Sequence, residues 1–148
     1  MNPKALLRIA AMIMLLHAIG HTIGALTWKK TPDVAKQAVI ESMTVPKFPF
    51  MGVARSMSEY YDGYGFACTL ALLLIVAMLW ITSNVTPHTA ALVKNILVVL
   101  SFLLLAWGID ELIFFFPFAA AFTLLSFLLT LVATLRLMKG ATLKNKNA

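Results

Sequence analysis

Charge is scarce in this chain. Six acidic and twelve basic residues among 148 leave only 12% of it charged, about half the share of an ordinary soluble domain. Cysteine is scarcer still: Cys68 stands alone, which excludes an intrachain disulfide. It falls inside an apolar stretch and reads as a buried structural thiol rather than a reactive one. No glycine-rich phosphate loop, C-x-x-C, H-E-x-x-H or G-x-S-x-G pattern occurs, so no phosphate, dithiol, zincin or serine-hydrolase chemistry is signalled. Internal repeats are lacking too. The net charge of +6 does not imply nucleic acid as a partner. The lysines are scattered beside apolar segments as anchors, with no basic helix or aromatic platform.

What is abundant is apolar side chain: 61% of the residues, with a mean hydropathy of +0.89. That is the composition of an integral membrane protein. Four apolar segments stand out, Leu6–Trp28, Tyr61–Thr82, Ala91–Phe115 and Pro117–Leu137, each long enough for the ~20 residues that cross the hydrocarbon. The expected fold is all-α, an antiparallel bundle of four transmembrane helices forming one domain. The helices are drawn over about 6–28, 52–83, 91–115 and 117–137, with an extracytoplasmic loop at 29–50 and a short, polar, frayed tail at 139–148. Met1–Gly24 resembles a signal peptide in outline, but the apolar run continues to Trp28, so an uncleaved first helix is expected.

Basic residues set the orientation. Seven (Lys4, Arg8, Lys94, Arg136, Lys139, Lys144 and Lys146) share one side under this topology, against Lys29, Lys30, Lys36, Lys47 and Arg55 on the other. All six acids fall on the second side, giving +7 against −1. The positive-inside rule places both termini in the cytoplasm, with Arg8 snorkelling to that surface. The Thr82–His88 turn is then cytoplasmic.

Within the first helix, His17, Gly20, His21 and Gly24 fall on one stripe, extended by Leu6, Ala10, Ile13 and Trp28. Imidazole is costly in hydrocarbon and turns inward or toward a wet cavity. Gly20 and Gly24 make a G-x-x-x-G pair that admits a close neighbour. Both histidines are therefore expected to face the second helix. At least one should bond a polar group of Arg55–Tyr64, with Glu59 or Asp62 as the partner of His21 and Glu111 as the alternative.

In the loop, Thr31-Pro32-Asp33 reads as an N-cap, a first-turn proline and a first-turn acid of a short helix ending near Met43. Val45–Phe50 then breaks it. Met51–Gly65, read as helix, puts Arg55, Glu59, Asp62 and Phe66 on one face, with Arg55 and Glu59 as an i,i+4 pair. Ser58, Tyr61, Gly65 and Cys68 form the adjacent stripe, and all three tyrosines of the chain lie here, at 60, 61 and 64. In the third helix Ser101 and Gly108 mark a small face, which Glu111 approaches more nearly than Asp110 does. In the fourth, Thr123, Ser126, Thr130 and Thr134 line a packing stripe.

The ionisable groups of three helices thus map to the outer half of the membrane, which predicts one polar pocket there. His17, His21, Glu59 and Asp62 are the candidates for proton chemistry; Arg55, Ser58, Tyr61, Tyr64, Trp107 and Glu111 are the candidates for ligand contact. The favoured function is binding of a small amphiphile, such as a lipid, sterol-like molecule or quinone, with histidines exchanging protons near working pH. A metal held by His17, His21 and a carboxylate is one alternative. A structural or accessory subunit, whose histidines only bond a neighbouring helix, is another. No cofactor and no reaction is named by the sequence; the bilayer is the one partner it implies, and a homodimer stays open.

Leu16-His17-x-x-x-His21, followed by Arg55-Ser-x-x-x-Tyr60-Tyr61-x-Gly63-Tyr64-Gly65, resembles a family of small, uncharacterised bacterial four-helix integral membrane proteins. That resemblance implies a bacterial inner (cytoplasmic) membrane location and names no activity. In layout the chain also looks distantly like the emopamil-binding and sigma-2 receptor group, sterol-binding helical bundles, which implies a lipid-like ligand.

Overall fold

The computed structural model describes residues 2–86 and 88–146, with side chains as far as residue 139. Pro87, expected in the Thr82–His88 turn, and the last two residues of the tail lie outside the described residues. The elements run α1 (Pro3–Thr27), α2 (Val34–Thr44), β1 (Lys47–Phe50), β2 (Val53–Ser56), α3 (Met57–Thr82), α4 (Ala90–Phe114) and α5 (Pro117–Lys146). The fold is all-α apart from one small hairpin. Among the described residues α1, α3, α4 and α5 (to Lys139) are long and apolar enough to cross a membrane. This is a multi-pass membrane protein.

Two boundaries differ from expectation. The second long helix begins at Met57 rather than near 52, because a hairpin takes the preceding residues. The last helix continues to Lys146 rather than ending at 137, so the tail expected to be frayed is helical that far.

The chain divides into two compact units, one from residues up to His17 together with Leu72 onward, the other from Ala18 to Ala71. The first unit draws on all four long helices. Leu7, Met14, Leu72, Leu79, Leu97 and Leu104 are fully buried in it, and Ala10, Ala120 and Ala133 let the backbones approach. Helices α4 and α5 form an antiparallel hairpin whose turn ends at Pro117, a first-turn residue with no N–H to leave unpaired. They pack tightly at Gly108, where a Cβ would stand 2.5 Å from Leu124 Cδ2. Thr123, Ser126, Thr130 and Thr134 are all buried, as a packing stripe requires. Thr130 and Thr134 return their hydroxyl protons to carbonyls one turn back, and Ser126 donates to the Ala10 carbonyl at 3.3 Å. Arg8 does not simply reach for water: its guanidinium lies 4.9 Å from the Trp80 ring centre and donates to Ser83 and Asn84.

The second unit holds the end of α1, the loop elements and the start of α3. The expected close approach at Gly20 and Gly24 does not occur within it; both are exposed, and a Cβ at either meets nothing within 4 Å. The small residue that serves contact is Gly65 of α3, where a Cβ would lie 3.1 Å from Ala25 Cβ. Asp33, not Thr31, caps α2, accepting from the Ala35 and Lys36 amides, and no residue of that helix is buried. The β1–β2 turn is Met51-Gly52, with φ of 48° and 85°, the positive pair of a type I′ hairpin.

Candidate functional site

Helix α1 carries His17 into the first unit, where α4 presents Glu111 and α5 presents Thr123. His17 Nε2 lies 3.3 Å from Glu111 Oε1, and His17 Nδ1 lies 3.1 Å from Thr123 Oγ1. All three residues are buried. The Phe122 ring stands 5.8 Å from the imidazole and encloses it on the α5 side. Expectation had His17 facing the second helix; its partners are on the third and fourth instead. The reason is register on α1. His17 continues the buried line of Leu7, Ala10 and Met14, which belongs to the four-helix core.

This arrangement keeps its bonds in either protonation state. With a neutral ring, Nε2–H donates to the carboxylate and Nδ1 accepts from the Thr123 hydroxyl. With imidazolium, Nδ1–H donates and the same hydroxyl accepts. The other carboxyl oxygen differs. Glu111 Oε2 is buried and has no hydrogen-bond partner among the described residues. Trp107, one turn earlier on α4, and Thr123 border the carboxyl without bonding that oxygen. An unsatisfied buried polar group costs about 1–3 kcal/mol, and more when charged. Asp110 is exposed, which agrees with Glu111 as the inward-facing acid.

The remaining candidates lie in the second unit and serve separate contacts. His21 Nε2 lies 3.0 Å from the Gly65 carbonyl, not against Glu59, Asp62 or Glu111 as expected. A helical carbonyl that already accepts the Thr69 hydroxyl at 3.1 Å is thus its partner. Thr22 and Thr69 hydroxyls meet beside it at 3.2 Å.

Asp62 accepts from the Trp28 indole at 2.8 Å and from Lys29 at 2.5 Å, and Tyr61 packs on Trp28 with ring centres 4.6 Å apart. Indole, lysine and carboxylate together are the chemistry of a membrane interface.

Glu59 closes a capping box with Ser56: the Ser56 amide donates to Oε2 at 2.7 Å, and the Glu59 amide donates to Ser56 Oγ at 3.2 Å. Arg55 pairs with Glu59 at 3.1 Å, yet Arg55 is in β2, so the pair joins a strand to a helix and is not intrahelical. Ser58 is buried against Ser56 Oγ at 3.3 Å, while Tyr64 is largely exposed.

Among the described residues no three His, Cys, Asp or Glu side chains gather as a metal-holding group. A shallow cleft of about 460 Å³ lies where the start of α1 meets the α3–α4 turn, lined by Asn2, Lys4, Ser83, Asn84 and Thr86. Glu111 is 21 residues beyond Ala90, about 30 Å further along α4, so the cleft and the buried pair belong to opposite ends of the unit. Reading the sequence missed Thr123 as a site residue because it sat within a stripe of similar hydroxyls. No known family model matches the chain, nor does any curated protein or solved structure.

Proposed function

We propose that the protein binds a small amphiphile, a lipid, sterol-like molecule or quinone, whose polar head engages Glu111 and His17. The observation that carries this is Glu111 Oε2, buried and unbonded beside an imidazole that tolerates gain or loss of a proton. A hydroxyl or phenol head would donate to Oε2 and recover the cost of burying it. His17, in contact with the other carboxyl oxygen, would then take or supply a proton at Nε2, which gives the site its potential for acid–base chemistry. The proposed setting is the bacterial cytoplasmic membrane, with both termini on the cytoplasmic side and the site toward the outer leaflet. The basic-residue asymmetry of the loops supports that orientation.

The test is mass spectrometry of amphiphiles that purify with the full chain in mild detergent. Glu111→Leu and His17→Ala should each reduce a stoichiometric species at least tenfold, since a charge-assisted hydrogen bond is worth about 1.5–3 kcal/mol. His21→Ala, whose ring bonds Gly65, should retain more of it. A second reading is that the histidines only tie helices together, and it is favoured by the protein partners found for both rings. Equal amphiphile content in all variants, with lower thermal stability alone, would establish that structural reading. The metal alternative has least support, since among the described residues no three His, Cys, Asp or Glu side chains gather as a metal-holding group.

A further inference from the structure

The hairpin sorts its side chains by face. In the β1–β2 register Phe48 stands opposite Arg55 and Phe50 opposite Val53, so these four share one face; Lys47, Pro49, Ala54 and Ser56 share the other. Ser56, bonded to Glu59 of α3, is the hairpin's one buried residue; Lys47, Pro49 and Ala54 of the second face are exposed. The first face is open. Phe48, Phe50 and Val53 are each at least half exposed, and Met51 at the tip is 88% exposed. Arg55, paired with Glu59, closes the base of this face; beyond it, aqueous loops rarely present such an apolar strip, and a two-stranded hairpin with no core of its own is marginal in water.

We infer that this face is a lipid-binding surface, lying in the headgroup region of the leaflet from which α3 begins. Three observations say what covers it. First, β2 ends at Ser56 and α3, a membrane-length helix, starts at the next residue, so the hairpin has no linker to carry it away from the bilayer. Second, the reach fits. Asp62, bonded to Trp28 and Lys29, marks the interface about 9 Å along α3 from Ser56, within the length of a four-residue strand, about 13 Å. Third, charge does not oppose lipid contact: with Lys29 and Arg55 paired to Asp62 and Glu59, the segment keeps Lys30, Lys36 and Lys47 against Asp33 and Glu41. Phenylalanine buries at the boundary of headgroups and acyl chains, as on the apolar face of interfacial segments. This inference rests on the membrane-spanning helices and not on the ligand reading of His17 and Glu111.

Nitroxide labels test it on the full chain in vesicles of phosphatidylethanolamine and phosphatidylglycerol, in a Cys68→Ser background. Phe50→Cys and Val53→Cys place a label on the apolar face, and Ala54→Cys places one on the other. Collision with dissolved oxygen should dominate over a water-soluble nickel chelate at 50 and 53, and the ratio should reverse at 54. Nickel access at all three positions would overturn the inference. Protection from both reagents at 50 and 53, with spin–spin broadening between labels, would overturn it in favour of contact between two copies.

Discussion

An alanine at position 108 would put a methyl group where Leu124 already stands. Its Cβ would lie 2.5 Å from Leu124 Cδ2 and 2.7 Å from Cγ, so α4 and α5 must part or the leucine must leave its rotamer. Gly108→Ala should cost about 1–3 kcal/mol, seen as a lower melting temperature in detergent. Gly20→Ala should cost nothing, since its Cβ meets open space and alanine is the better helix former. Equal losses in the two variants would contradict the packing described for α4 and α5. The contrast also shows what could be read in advance. Gly108 and Glu111 were legible as inward because they share a stripe with Ser101 on one helix. The partners of His17 were not, since Thr123 lies 106 residues away and Glu111 on a third helix. Helical periodicity reports which way a side chain points, not what it meets. The same limit misassigned the glycines: a G-x-x-x-G pair offers a close approach, but Gly65 of the other helix was the residue that used one.

At the scale of elements, the junction between β2 and α3 depends on Ser56 and Glu59. Ser56→Ala removes one arm of the capping box and should cost about 1 kcal/mol. The sign would be faster amide hydrogen exchange over the first turn of α3, with the remainder of the helix unchanged. Exchange spreading through the whole of α3 would mean that the cap is not a local device. Met51 holds φ at 48°, a conformation asparagine adopts more readily. Met51→Asn should therefore slow exchange of the hairpin amides, whereas Gly52→Val should quicken it. Ser56-Met57-Ser58-Glu59 has the spacing of a capping box in plain sequence. It went unread because Arg55 and Glu59 also fit a helical i,i+4 pair, and Met51-Gly52 lacks the asparagine or aspartate that announces a type I′ turn. Both readings satisfied the local pattern, and hydrogen bonding between the strands decided between them.

For the whole molecule, the set of four membrane-length helices is the property most visible in the sequence, since four long apolar runs leave few alternatives. The expected orientation can be checked in intact cells with a membrane-impermeant maleimide on a Cys68→Ser background. Lys36→Cys should label from outside, and Lys4→Cys only after permeabilisation. The opposite pattern would reverse the orientation and move the proposed site to the inner leaflet. The absence of any linker at Ser56–Met57 has a mechanical consequence. With no slack residue and with Ser56 bonded to Glu59, the hairpin would turn with the first turns of α3, as a crank arm turns with its shaft. Helices tilt further when a bilayer thins, and a tilt that would be silent in a helix ending in slack chain would here sweep the hairpin across the surface. Membrane thickness would thereby be written into the position of Met51.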